Sequence, residues 1–223
     1  NHILCINYGS WARLMTAANR MLSGLILAGG EGRRMAGRDK GLISLAQRPL
    51  VEYAIDCLMP LVDDLSISCN RNRELYLNYQ LECISDHEMT SYQGPMAGIA
   101  AGLRHAKHDW LLVMPCDTPL MTSAVMTQLI GCLQTDEIGL NKQAIIFSHQ
   151  GLQPLHGLYH KSMLPIFEQC LAENKNALQR LLRSMNSVYI HSALEGEFSF
   201  NNANDPEELS TIEQFLSNKL HNL

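Results

Sequence analysis

Two periods of apolar residues alternate along the chain. Short apolar-rich runs at residues 25–27, 65–69, 81–85 and 110–114 are bounded by glycine, proline, asparagine or aspartate, as expected of strands covered on both faces of a parallel sheet. Between them apolar positions recur every three to four residues: Leu50, Tyr53, Ala54, Cys57 and Leu58 share one helical face, opened by Pro49 and stopped by Pro60. Residues 42–45 read as a short extended piece, and further helices are expected after Asn72 to about residue 79, over 96–105 and from about residue 122. Strands at 144–147 and 155–159 flank a turn at Gln150-Gly151. Helices follow at 161–170 and 176–184, and in Asp205-Pro206-Glu207-Glu208 the aspartate caps and the proline opens a last one. This alternation predicts an α/β fold, a mostly parallel sheet with helices on both faces.

Composition narrows the field. The 223 residues, 46% hydrophobic, suffice for one substantial core and are few for two. Residues 21–223 contain no repeat, low-complexity tract or linker, so one domain is expected there, behind an N-terminal arm of uncertain origin at 1–20. A net charge of −5 argues against a general nucleic-acid binder and leaves the local cations to a small anionic ligand. Seven cysteines are scattered without a Cys-x-x-Cys pair, the usage of a reduced, cytosolic protein. With no apolar run near the roughly 18 residues of a membrane span, a cytoplasmic protein without membrane partners is expected.

The densest chemistry lies at 22–41. A predicted strand ends in Gly29, Gly30 and Gly32, which let backbone N–H groups approach an anion, and Arg33, Arg34, Arg38 and Lys40 follow. A P-loop would need Lys-Ser/Thr where Gly37 is followed by Arg38 and Asp39, and a dinucleotide fingerprint would need glycine where Met35 stands. What remains, Leu27-Ala28-Gly29-Gly30-x-Gly32-x-Arg34-Met35 with Asp39-Lys40 beyond, resembles the signature of nucleotidyltransferases that bind an NTP on a Rossmann-like sheet. Its spacing to Lys40 is most similar to that of the molybdenum cofactor guanylyltransferases. Ala36 stands where that family usually has glycine.

Two later stretches extend the pattern. Gly94-Pro95-x-Ala97-Gly98 is a turn opening a helix, and it resembles the family's second loop. Asp117 in Pro115-Cys116-Asp117-Thr118-Pro119 sits just past a central strand, where open α/β sheets bind ligands. Its carboxylate suits Mg²⁺; alternatively it caps the next helix or orders the two-proline turn. Asn202-x-Asn204-x-Pro206 again resembles the family. His149, His156 and His160 lack Cys, Asp or Glu company, so a surface or substrate-side role is expected in preference to a metal site.

The resemblance implies transfer of GMP from GTP to the terminal phosphate of molybdopterin, with Mg²⁺ held by Asp117 and catalysis by Lys40, Asp117 and Arg34. It implies GTP contacts at Leu27, Ala28, Gly29, Gly30, Gly32, Lys40, Ser68, Asn70, Asp86, Gly94, Pro95 and Asp117, and a molybdopterin side at Asn202 and Asn204. Ser68 replaces an asparagine frequent in the family. Molybdoenzyme apoproteins, their chaperones and an upstream molybdenum-insertion protein are implied partners of a monomeric enzyme. A sister nucleotidyltransferase using CTP on the same pterin or activating another phosphate substrate, and a non-catalytic GTP-binding or cofactor-delivery protein, stay open as alternatives.

Overall fold

The computed structural model describes residues 3–4, 21–29, 37–85, 94–134, 142–192 and 198–221. In chain order the elements are β1 (Ile3–Leu4), β2 (Leu22–Leu27), β3 (Ser44–Leu45), β4 (Arg48–Pro49), α1 (Leu50–Leu58), β5 (Asp64–Ser68), α2 (Arg73–Tyr76), β6 (Glu82–Ile84) and α3 (Pro95–His105). They continue with β7 (Trp110–Pro115), α4 (Ser123–Gly131), β8 (Ala144–Ser148), β9 (Leu152–His160), α5 (Leu164–Ala172), α6 (Leu178–Ser184), β10 (Ser187–Ile190) and α7 (Pro206–His221).

The main sheet has the order β1-β10-β8-β9-β7-β2-β5-β6. All its neighbours run parallel except β9, which is antiparallel to both β7 and β8. The expected α/β class therefore holds, with one reversed strand that follows from the tight Gln150-Gly151 turn, since a parallel pair would need a long crossover.

Period-two alternation sorts the central strands onto two cores. In β2, Leu22 and Ile26 join α1 and α4 on one face, while Leu25 and Leu27 join α3, α5 and α6 on the other. In β7, Leu112 and Met114 go to the first face, Leu111 and Val113 to the second. Helix α3 lies tight on the sheet because two of its turns carry glycine. A Cβ at Gly98 would come within 2.8 Å of Leu27 Cδ2, and one at Gly102 within 2.6 Å of Leu25 Cδ2. A third, smaller core packs α7 on the β3–β4 hairpin through Ile212, Ile43, Leu45 and Leu50.

The predicted boundaries shift in places. Residues 40–42 form a 3₁₀ turn before β3, so the extended piece at 42–45 is shorter than expected. The 161–170 helix is split, with a 3₁₀ turn over Lys161–Met163 leading into α5. Strand β10 was not foreseen from the pattern. It is four residues long and lies directly after α6, yet it is fully buried between β1 and β8. Among the described residues no helix is long and apolar enough to cross a membrane.

Candidate active site

The strand order reverses between β2 and β7. From β2 the chain adds β5 and β6 outward on one side, then returns to place β7 on the other. In open α/β sheets such a switch point is where ligands bind, in the crevice outside the carboxyl ends of the strands. Those of the expected site residues that are described lie toward that edge. Leu27 and Pro115 are register partners, the Ala28 N–H donates to the Ser68 carbonyl at 2.9 Å, and the Cys116 N–H donates to the Leu27 carbonyl at 3.1 Å. The side chains of Leu27 and Ala28 are buried, whereas Gly29 is exposed, so this stretch offers the crevice backbone rather than side chains.

Lys40 is the centre of the arrangement. Its Nζ donates to Asp117 Oδ2 and to Asn204 Oδ1, joining residues that are 77 and 164 positions away in sequence. Both members of the Lys40–Asp117 pair are partly exposed, with side-chain accessibilities of 20% and 16%. Asp117 is held from a second side, where its carbonyl accepts from the Ala203 N–H at 2.7 Å. Asn204 is fixed in turn by its own N–H donating to Glu208 Oε2 at 2.7 Å, and Asp205 Oδ1 accepts from Glu207 and Glu208 N–H at the start of α7. The predicted Asp205 cap is thus present. Asn202 is exposed on the same segment.

The turn that presents Lys40 has its own anchor. Asp39 accepts from the Tyr76 hydroxyl at 2.6 Å and from Asn72 Nδ2 at 3.0 Å, and Arg71 donates to the Gly37 carbonyl at 3.0 Å. Tyr76 is completely buried, and burial with the Asp39 carboxylate beside it pushes its phenol well above the ordinary range. It stays a hydrogen-bond donor to Asp39. The sequence pattern marked Asp39 only as Lys40's neighbour and did not mark Tyr76 at all.

On the far side of β2, Gly94 opens α3 and Pro95 takes its first turn. Gly94 has φ 75° and ψ −167°, open in practice only to glycine. Asn70 receives a hydrogen bond from the Ser85 hydroxyl at 3.4 Å. Ser68 is 3% exposed, and its hydroxyl lies beneath Gly98 of α3. Gly30, Gly32, Arg34 and Asp86, also expected here, lie outside the described residues.

The three histidines do different things. His160 caps the 161–163 turn, accepting from the Ser162 N–H at 3.2 Å. His149 stacks on Phe200 at 4.9 Å. His156 is 3% exposed and bonds Thr118 Oγ1 through Nε2 at 2.9 Å, so for this one the surface reading is corrected. Its strand faces β7 and the helices, and an alternating pattern alone does not show which face is covered. Asp117 does not cap α4; Thr122 does, accepting from the Val125 N–H at 3.3 Å.

One atom bears on metal binding. Asp117 Oδ1 is buried with no hydrogen-bond partner. An ionised oxygen in that condition is costly unless a cation or donor meets it. Among the described residues no group of three or more His, Cys, Asp or Glu is arranged to hold a metal. A single carboxylate nonetheless fits Mg²⁺, which commonly takes one or two protein carboxylates and completes its shell with water and substrate phosphate oxygens.

Residues 24–188 match the model of the MobA-like NTP transferase domain. A molybdenum cofactor guanylyltransferase of Pseudomonas putida is 40% identical over 186 residues, 83% of this chain and 94% of that protein. Another, from Vibrio vulnificus, is 37% identical over 199 residues, 88% and 97% of the two chains. The chain belongs to the molybdenum cofactor guanylyltransferase family. Among solved structures, molybdopterin-guanine dinucleotide biosynthesis protein A from Archaeoglobus fulgidus superposes with a TM-score of 0.73 at 25% identity, covering 88% of this chain and 99% of that one. Membership in this guanylyltransferase family agrees with the mostly parallel α/β sheet and its helices.

Proposed function

We propose that this protein transfers GMP from GTP to the terminal phosphate of molybdopterin, releasing pyrophosphate. The observation that carries the reading is the junction at Lys40, whose ammonium ties the β7 carboxylate Asp117 to Asn204 beside the β2 loop. A phosphate monoester is already nucleophilic at neutral pH, so the acceptor oxygen can attack the α-phosphorus without a protein base. A new P–O bond forms, the bond to the β-phosphate oxygen breaks, and pyrophosphate leaves with the electron pair. The obstacle is repulsion between two anions, so the site's task is to position them and to compensate charge.

Each residue has a part in this reading. Lys40 and Arg34 hold the outer phosphates, and the backbone from Ala28 through Gly32 lies along the triphosphate. Asn70, Asp86 and the Gly94-Pro95 turn surround the nucleoside, with Ser68 behind them. Asn202 and Asn204 serve the pterin side. Asp117, with its unpartnered Oδ1, is the residue to hold Mg²⁺. When bound, that ion would neutralise charge on the phosphates and orient them. Residues Lys40, Asn70 and the glycine turns do the binding and aligning themselves.

The test is incubation of the protein with Mg²⁺, molybdopterin-loaded carrier and each of the four NTPs, with pyrophosphate release as the readout. Guanine offers N1–H and an exocyclic amine as donors and O6 as acceptor; cytosine's smaller edge leaves pocket groups unpaired. GTP is therefore expected to exceed CTP by about a hundredfold or more in kcat/KM. Even use of the two would move the protein to the cytidylyl branch, and release with neither would leave GTP binding without catalysis.

A further inference from the structure

Thr118 follows Asp117 directly and is completely buried, and its hydroxyl meets Nε2 of His156 at 2.9 Å. His156 is an expensive residue for that place. Burial lowers its pKa to about 3, and its Nδ1 has no hydrogen-bond partner. An apolar ring of similar shape would avoid both costs. The imidazole also meets Phe200 in a T-shaped pair, with ring centroids 5.2 Å apart. Phe200 belongs to the segment whose Ala203 N–H donates to the Asp117 carbonyl and whose Asn204 accepts from Lys40. His156 thus touches both segments that hold Asp117 without touching Asp117 itself.

We propose that His156 is a positioning residue for the active site: its hydrogen bond to Thr118 and its T-shaped contact with Phe200 fix the Asp117 backbone between the end of β7 and the 198–204 segment, keeping the carboxylate in one orientation for a divalent cation. The proposal rests on the nucleotidyltransferase reading above. It accounts for a polar group kept in an apolar interior, since the bond to Thr118 is the one thing a phenylalanine could not supply. Loss of the bond would let the peptide after Asp117 turn, and the carboxylate with it. Partners one step removed from a metal ligand commonly govern its affinity in this way.

The test uses Thr118→Val, His156→Phe and the two combined. The double variant removes both polar partners and leaves no group orphaned, so its Tm is expected within about 3 °C of wild type. Its affinity for Mn²⁺ in the presence of GTP, read by electron paramagnetic resonance, is expected to fall at least about tenfold. His156→Gln, whose terminal amide reaches the Nε2 position, restores most of that affinity. His156→Asn, whose amide ends at the Nδ1 position, does not. Wild-type Mn²⁺ affinity in the double variant, its unfolding, or identical behaviour of the Gln and Asn variants would overturn the assignment. A wild-type protein that binds no Mn²⁺ with GTP contradicts the enzyme reading itself, whereas normal wild-type binding with an unaffected double variant overturns only the role of His156.

Discussion

Gly94→Ala separates backbone strain from bulk at the mouth of the crevice. Gly94 sits at φ 75° and ψ −167° before α3, and a Cβ built on it meets nothing within 4 Å. The substitution therefore clashes with nothing, and its cost is that of an L-residue in glycine's territory, about 1–3 kcal/mol. That cost can fall in either of two places. If the turn keeps its shape, folding bears it, and Tm drops by roughly 2–12 °C at about 2–4 °C per kcal/mol for a chain of this size. If the turn relaxes, stability is kept and the nucleotide must restore the shape on binding, so KM for GTP rises about 5- to 150-fold, at 1.4 kcal/mol per tenfold. Differential scanning fluorimetry and pyrophosphate-release kinetics on one preparation distinguish the two. Wild-type Tm together with wild-type KM would refute the claim that this conformation matters.

Three further outcomes are expected. Lys40→Ala weakens GTP far more than GMP in calorimetric titration, because the ammonium reaches outer phosphates and no part of the base; equal losses would misplace it. Asp117→Ala lowers pyrophosphate release at least about a hundredfold with an unaltered circular dichroism spectrum, since it removes the partly exposed carboxylate proposed to hold the cation that would neutralise the phosphates. The third concerns pH. His156 has a pKa near 3 when folded against an ordinary 6.5, so the unfolded chain takes up a proton first as pH falls. Its contribution is fully present above about pH 6.5 and is lost on acidification toward pH 3, amounting to about 2 kcal/mol by pH 5. Urea unfolding of wild type and His156→Gln at pH 7.5 and 5 should show wild type losing that much more.

Much of the fold could be read from the chain because its central strands and their helices announce themselves locally. β2, β5 and β7 are apolar runs with turn residues at both ends, and α1 and α3 carry proline at the start. The candidate phosphate loop stood out for a related reason, since glycines and cations coincide at one strand end, although its residues 30–36 lie outside the described ones. The reversed β9 and the added β10 were harder, since strand direction depends on which partner is available and β10 is only four residues long. Asp117 and Lys40 were each recognisable alone. Their shared contact with Asn204 was not, because the three come from separate stretches that meet only once the sheet is built. Tyr76 escaped for the opposite reason, lying inside an apolar pattern that explains it equally well as core, while His156 was noticed but expected at the surface, because an alternating strand pattern does not show which face is covered.

One consequence of Lys40's double attachment concerns the order of events. A single ammonium cannot hold Asp117 and Asn204 and also follow a phosphate that draws it elsewhere. On the proposed reading, an incoming triphosphate that pulled Nζ away would release Asp117 Oδ2 and Asn204 Oδ1 in the same movement. The carboxylate would then have both oxygens open to a cation, and the asparagine would be open to the second substrate. Lys40 is on that reading a placeholder between Asp117 and Asn204 until the nucleotide arrives, so the nucleotide would bind before the acceptor.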